Sequence, residues 1–288
     1  MSITYSDEKA SPAEPAPAAQ TIALEILTDE ELSVLVPAQG VVVAPVLDAV
    51  PVAERDAVRR TAFRGLVARG IVDPPDPAGV AAVLESSAAA TGGDVGIDLR
   101  VRNDVLSALT LRQSASAVVA VARTTSSAQD FWYAHVVEEV ALLEEVGSDG
   151  LHRFALGHAR DLPALLAAAV VHPEATDGAG DDVELAVAPD SEAPAELLER
   201  LGQAYLRADV LVVTRETGAP VERPDLTGLF TGPLGSWSVV SSPGSQRAWA
   251  RAETVASVTE RTAELARIAV EHARTQAGRT TARTEVPS

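Results

Sequence analysis

Residues 116–157 read SAVVAVARTTSSAQDFWYAHVVEEVALLEEVGSDGLHRFALG, and this stretch decides the fold class. Four apolar runs, SAVVAVART, FWYAHVV, VALLEEV and LHRFALG, are broken by short polar segments at 125–129 and 147–150. Runs of this length, rich in β-branched and aromatic residues and bounded by Ser, Asp and Gly, are strand signals. GSDG between the last two runs is a hairpin signal. Residues 138–146 also fit a helix, but the Gly-rich turn and the alternation in LHRFALG favour the hairpin. Upstream, IDLRV (97–101) and VLSALTLRQ (105–113) read as two further strands joined by a turn at 103–104. Successive strands without intervening helices form an antiparallel meander, which argues against a doubly wound parallel sheet.

Moving outward, TIALEIL (21–27) alternates like a strand, and Thr28 with Glu31 three residues on has the spacing of a capping box. AERDAVRRTAFRGLVARGIV is a helix with Val58, Ala62, Leu66 and Val67 on one face and Gly70 at its C-terminal cap. The Pro-rich DPPDPAG breaks it, and AGVAAVLESSAAA is a second helix. DLPALLAAAVV starts a helix with Asp161 as N-cap and Pro163 in the first turn. The polar stretch 173–182 is a linker. Beyond it the theme repeats: strand VELAVAP, helix APAELLERLGQAYL, strand ADVLVVTRE, and strands LTGLFTG and GSWSVVSS with a turn at 232–235. A last helix runs from Gln246 to Arg274, with Val255, Val258, Leu265, Ile268 and Ala269 on its apolar face. The expected organisation is a disordered tail over 1–20, an N-terminal α/β subdomain over 21–172, a C-terminal one over 183–274, and a loose tail over 275–288. The expected fold class is α+β, a largely antiparallel central sheet flanked by helices.

Composition narrows the function. The 288 residues include 41 acidic against 23 basic side chains, a formal net charge of −18. A field of that sign repels phosphate backbones and anionic membrane surfaces. There is no cysteine, which removes disulfides and thiolate chemistry. Lys9 is the single lysine. No basic-then-apolar leader opens the chain, and no stretch reaches the roughly 18 apolar residues of a membrane span. The expectation is a soluble, cytoplasmic protein.

The residues that bear chemistry do not assemble into a motif. His152 and His158 are six apart, which puts both on one face of a straight strand, yet no acidic third ligand is indicated. His135 and Glu138 lack the HExxH spacing. GPLGSWS has Val239 where a nucleophile elbow needs Gly. TGGDVG opens a strand rather than a helix, and DGAGDD lacks the ligand spacing of a calcium loop. The arginine-rich helix RRTAFRGLVARGIV has the look of a winged-helix element, but the net charge opposes DNA and no base-reading helix accompanies it. The reading is therefore a non-enzyme without metal or cofactor, a protein that binds another protein. Of only ten aromatics, three are consecutive: Phe131 and Tyr133 face one side of a strand and Trp132 the other. Together with Trp237 these are the candidate partner-binding residues.

The order of these segments resembles the EspG family of chaperones associated with type VII (ESX) secretion in actinobacteria. The phrases that carry the likeness are DEELSVL after the opening strand, ERDAVRRTAFRGLVARGIV, DLPALLAAAV at the close of the first half, AELLERLGQAYLRADVLVVTRE, and GPLGSWSVV before the last helix. They span residues 21–273. The resemblance implies a fold of two halves related by a pseudo-twofold axis, and a cytosolic specificity chaperone that binds helical PE/PPE-like heterodimers before export. The alternatives are an immunity or inhibitor protein for a basic secreted toxin and a winged-helix-type DNA-binding regulator.

Overall fold

The computed structural model describes residues 19–36, 40–74, 100–186, 195–215, 224–241 and 244–284. The four apolar runs of the opening stretch are strands β2 (Ala117–Thr124), β3 (Gln129–Val137), β4 (Val140–Val146) and β5 (Leu151–His158), paired in sequence order. The edge strand β1 (Thr21–Thr28) joins them antiparallel to β5. A second set, β6 (Val183–Ala186), β7 (Leu206–Thr214), β8 (Leu226–Thr231), β9 (Ser236–Ser241) and β10 (Arg247–Glu253), continues the same sheet. The order is β1-β5-β4-β3-β2-β7-β8-β9-β10-β6, and every neighbour is antiparallel. Read outward from the β2–β7 pair, both halves give a four-stranded meander capped by the first strand of that half. The two halves are thus repeats about a pseudo-twofold axis, and β2 and β7 pair from Ala117↔Thr214 to Thr124↔Arg207 across it.

Helices α1 (Asp29–Leu35), α2 (Pro45–Ala49), α3 (Arg55–Ala68) and α4 (Asn103–Ser114) precede β2. Helix α5 (Leu162–Val170) follows β5, α6 (Ala195–Gly202) precedes β7, and α7 (Val255–Thr284) closes the described chain. Strand alternation sends Ala117, Val119, Val121, Trp132, Ala134, Val136, Ala208 and Val210 to one face of the sheet. That face is covered by α5 and α7, whose small residues Ala169, Ala266, Ala269 and Ala273 let the two helices and the sheet approach closely. On the other face of the first half, Leu32, Leu66, Val105 and Leu109 pack on Leu27, Leu142 and Phe154. Each fully buried leucine there contributes about 1.5–3 kcal/mol of transfer free energy. On the same face of the second half, the cover among the described residues is α6, through Leu197 over Trp237 and Ala250.

Local signals hold where their chemistry is local. Thr28 caps α1 in a capping box: its hydroxyl accepts from the Glu31 N–H and the Glu31 carboxylate from the Thr28 N–H, both at 3.1 Å. GSDG forms the β4–β5 hairpin, and Gly150 takes φ 69°, where a Cβ would lie 2.6 Å from Val46 Cγ2. Gly70 has φ 66° just past α3.

Several segments differ from the sequence reading. VLSALTLRQ is not a strand: Val105, Ala108, Leu109 and Arg112 are buried at helical spacing on α4, and 103–104 starts that helix rather than a turn. Arg247–Glu253, expected to begin the last helix, is strand β10, and the helix runs from Val255 to Thr284, past the expected end at Arg274. Alternate alanines of β10 fit under the second half's core, and pairing with both β9 and β6 outweighs the helical propensity of Ala, Arg and Glu. The helix expected through Leu206 stops at Gly202. Asp161 precedes α5 without a capping hydrogen bond. The polar stretch 173–182 is strapped to the second half: the Gly178 N–H donates to the Glu253 carbonyl at 2.7 Å, and Asp177 Oδ1 accepts from the first N–H of α7 at 2.8 Å. Residues 1–18 of the tail expected over 1–20 and the helix AGVAAVLESSAAA lie outside the described residues, as does most of IDLRV, whose Val101 bridges Val72.

Candidate functional site

The alternation expected for the aromatic triplet is present. Trp132 is 3% exposed, in the core beneath α5 and α7. Tyr133 is 2% exposed on the opposite face, and its hydroxyl accepts from the Val43 N–H at 3.2 Å. Burial pushes the Tyr133 phenol up to about 12. Phe131 is half-buried beside Tyr133 and Val146. Trp237 is 4% exposed beneath α6, with the Arg200 guanidinium 5.7 Å from its ring centroid. Three of the four aromatics therefore fill the interior and present almost no area to a partner.

The two histidines separate. His158 is exposed at the end of β5, whereas His152 is fully buried. His152 donates from Nε2 to Asp29 Oδ1 and from Nδ1 to Glu144 Oε1, each at 2.6 Å. Glu144 Oε2 accepts from His135 Nε2 and Arg112 Nε, each at 2.8 Å. Asp29 Oδ2 accepts from the Val46 and Leu47 N–H groups at 2.7 and 3.0 Å. With a carboxylate on each ring nitrogen, His152 is held as imidazolium. Burial works against its charge, but the hydrogen bonds to Asp29 and Glu144 outweigh it and raise the pKa above the usual histidine value. Burial likewise opposes the charge of Glu144, yet the bonds from His135 and His152 and the Arg112 charge hold that carboxyl well below the usual range. The cluster ties α1, α2 and α4 to three strands and is sealed beneath them. Among the described residues no group of His, Asp and Glu is arranged to hold a metal ion. Sequence reasoning missed Asp29, Arg112 and Glu144. The available signal was Glu144 itself, which shares the inward face of VALLEEV with Leu142 and Val146.

Ser236 and Ser238 of GPLGSWS are also committed internally. Both are fully buried; Ser236 donates to the Thr176 carbonyl at 2.8 Å and Ser238 to Glu253 at 2.6 Å.

An open surface lies on the second half. A groove of about 590 Å³ runs between α6 and the turn after β2. Its floor is Leu226, Gly228, Phe230 and Val239, its wall Leu197 and Leu201, and its rim Thr124, Thr125 and Ser126. Polar groups are few: Arg207 pairs with Asp209 at 2.9 Å and stacks its guanidinium 5.5 Å from the Phe230 centroid. Leu226 is 38% exposed at one end. Apolar floor with a thin polar rim is the composition of a protein or ligand dock. Among the described residues no helix is long and apolar enough to cross a membrane.

No family model matches the chain, and no curated protein matches it. Among solved structures it is similar to the Mycobacterium tuberculosis type VII secretion system chaperone EspG5, solved in complex with a PE25–PPE41 dimer. The match has a TM-score of 0.41 and 10% identity, and covers 71% of this chain and 92% of that one. A likeness at this level carries no functional inference.

Proposed function

We propose that this chain is a cytoplasmic, non-enzymatic chaperone that binds a helical secretion substrate of the PE/PPE-like, type VII kind before export. The observation that supports the reading is the open apolar groove on the second half, set in a rigid sheet and lacking a converging set of reactive groups among its described lining residues. A substrate with an exposed apolar helical tip self-associates in water; docking that tip in the groove removes its area at about 25 cal/mol per Å². The Arg207–Asp209 pair at the rim supplies orientation more than affinity. The pattern of segments that resembles the EspG family points the same way.

The test is co-expression with a co-encoded helical protein. The substrate is expected to be soluble only in the presence of this chain and to elute with it as a one-to-one complex. Leu226→Asp puts a charge on a partly exposed position of the groove floor, so capture should be lost while the melting temperature stays near that of the parent. Capture that survives Leu226→Asp and a companion Leu201→Glu overturns the assignment of the groove. A basic toxin as the co-encoded protein would replace the chaperone reading with the inhibitor one.

A further inference from the structure

Arginines in this protein are, as a rule, neutralised. Arg69 pairs with Glu25 and Glu31 at 2.7 Å, Arg112 with Glu144 at 2.8 Å, Arg123 with Asp130 at 2.5 Å, and Arg274 with Glu139 at 2.8 Å. With 41 acids for 23 bases, carboxylates are in surplus. Helix α3 is one place where the rule fails. Arg60 makes no ion pair among the described residues, and Arg64 has only a 3.4 Å contact to the Thr61 hydroxyl. Arg59 reaches Asp56 at 3.7 Å, with the aspartate 82% exposed, a geometry that contributes little.

These three guanidinium groups border one cleft. It measures about 940 Å³ and lies between α1 and α3. Val34, Ala57 and Phe63 give it an apolar floor, Arg59, Arg60 and Arg64 its charge, and no acidic residue lines it among those described. Glu30 and Glu31 border an adjoining cleft with Val58 and Ala62, which shares Ala57 and Thr61 with this one. An apolar trough whose positive rim has only the long Arg59–Asp56 pair to offset it, on a protein whose net charge is −18, is locally opposite in sign to the rest of the surface.

We propose that this cleft is a docking site for an acidic, amphipathic helical segment of a partner protein. Apolar side chains of the segment would cover Val34 and Phe63, and carboxylates one turn apart would pair with Arg60 and Arg64, which are themselves one turn apart on α3. Nucleic acid fits poorly: three guanidinium groups are a short footprint, and the surrounding charge repels a polyanion longer than the cleft. The inference does not depend on what the groove of the second half holds.

The experiment is fluorescence anisotropy on the full chain. The probes are a labelled amphipathic peptide with Glu at i and i+4 opposite a Leu/Phe stripe, its Lys-for-Glu counterpart, polyglutamate, and a single-stranded oligodeoxynucleotide. Saturable binding is expected for the acidic amphipathic peptide alone, weakening as salt is raised. Arg60→Glu/Arg64→Glu should reduce its affinity by about tenfold or more; both positions are exposed on a helix surface, and a circular dichroism melt confirms that the variant folds. Leu226→Asp should leave this binding unchanged, which separates the cleft from the groove. No saturable binding, equal binding by the charge-reversed variant, or equal binding of polyglutamate or the oligonucleotide would overturn the proposal.

Discussion

Replacing Glu144 by Gln tests the buried cluster most directly. The carboxylate makes three hydrogen bonds, one to His152 and one each to His135 and Arg112, and has no exposed surface. Gln keeps the shape but removes the charge that offsets Arg112 and His152, and it turns an amide N–H₂ toward a donor. Breaking a buried ion pair by removing one partner costs about 3–5 kcal/mol. Against a total stability of about 5–15 kcal/mol the loss is severe. At about 2–4 °C per kcal/mol for chains of this order, the melting temperature should fall by roughly 10 °C. Urea denaturation followed by circular dichroism measures the same quantity at constant temperature. A loss below about 1 kcal/mol would mean that the cluster is not ionised as the geometry requires.

The pH dependence has a definite sign. His152 has a folded pKa above the ordinary 6.5, so its contribution is fully present below that value and is lost as pH rises through the folded pKa. Glu144 has a folded pKa below the ordinary 4.5, so its contribution is present above that value and is lost as pH falls through the folded one. The cluster therefore contributes most between 4.5 and 6.5. His152→Gln should flatten the alkaline side of the stability profile. Asp29, His135 and Arg112 face the same ring or carboxylate, so the difference between parent and variant, not the parent profile alone, is the measurement. Parallel profiles for parent and His152→Gln above 6.5 would refute the reasoning.

Two further substitutions probe local geometry. Gly150→Ala puts a Cβ 2.6 Å from Val46 Cγ2 at a positive φ, and should destabilise by about 1–3 kcal/mol, read as a lower urea midpoint with an unchanged m-value. Thr28→Ala removes one half of the capping box and should cost about 1 kcal/mol in the same assay, with Thr28→Ser restoring most of it.

The meander, its hairpin, the capping box and the repetition of the theme after residue 182 were legible because their signals are local: turn residues, strand composition and cap spacing. Two element types were misread where propensity and packing disagree. In VLSALTLRQ the exposed Leu106 and half-buried Leu111 blur a helical stripe that Val105, Ala108 and Leu109 define. In RAWARAE the composition favours helix, but the alanines are small because they sit against Trp237. The buried cluster was illegible for a different reason. Asp29 and His152 are 123 positions apart, and only the β1–β5 register brings α1 above that point of the sheet. The aromatic triplet was legible for face and not for burial, since sequence shows which way a strand residue points and not what covers it.

What covers the sheet also differs between the two halves. The two halves repeat the same strands, but their first connections differ: among the described residues, α1, α2, α3 and α4 lie between β1 and β2, and α6 lies between β6 and β7. Among the described residues, the same face of one sheet is thus covered by several helices on the first half and by one short helix on the second. Where the cover is complete, the sheet tolerates buried charge, because Arg112 and Asp29 descend from the helices to neutralise it. Where the cover is short, the exposed strands carry Leu226, Gly228, Phe230 and Val239, with the Arg207–Asp209 pair at their margin. The ionic cluster of Asp29, Arg112, His135, Glu144 and His152 is buried, and the floor of the groove beside α6 is apolar.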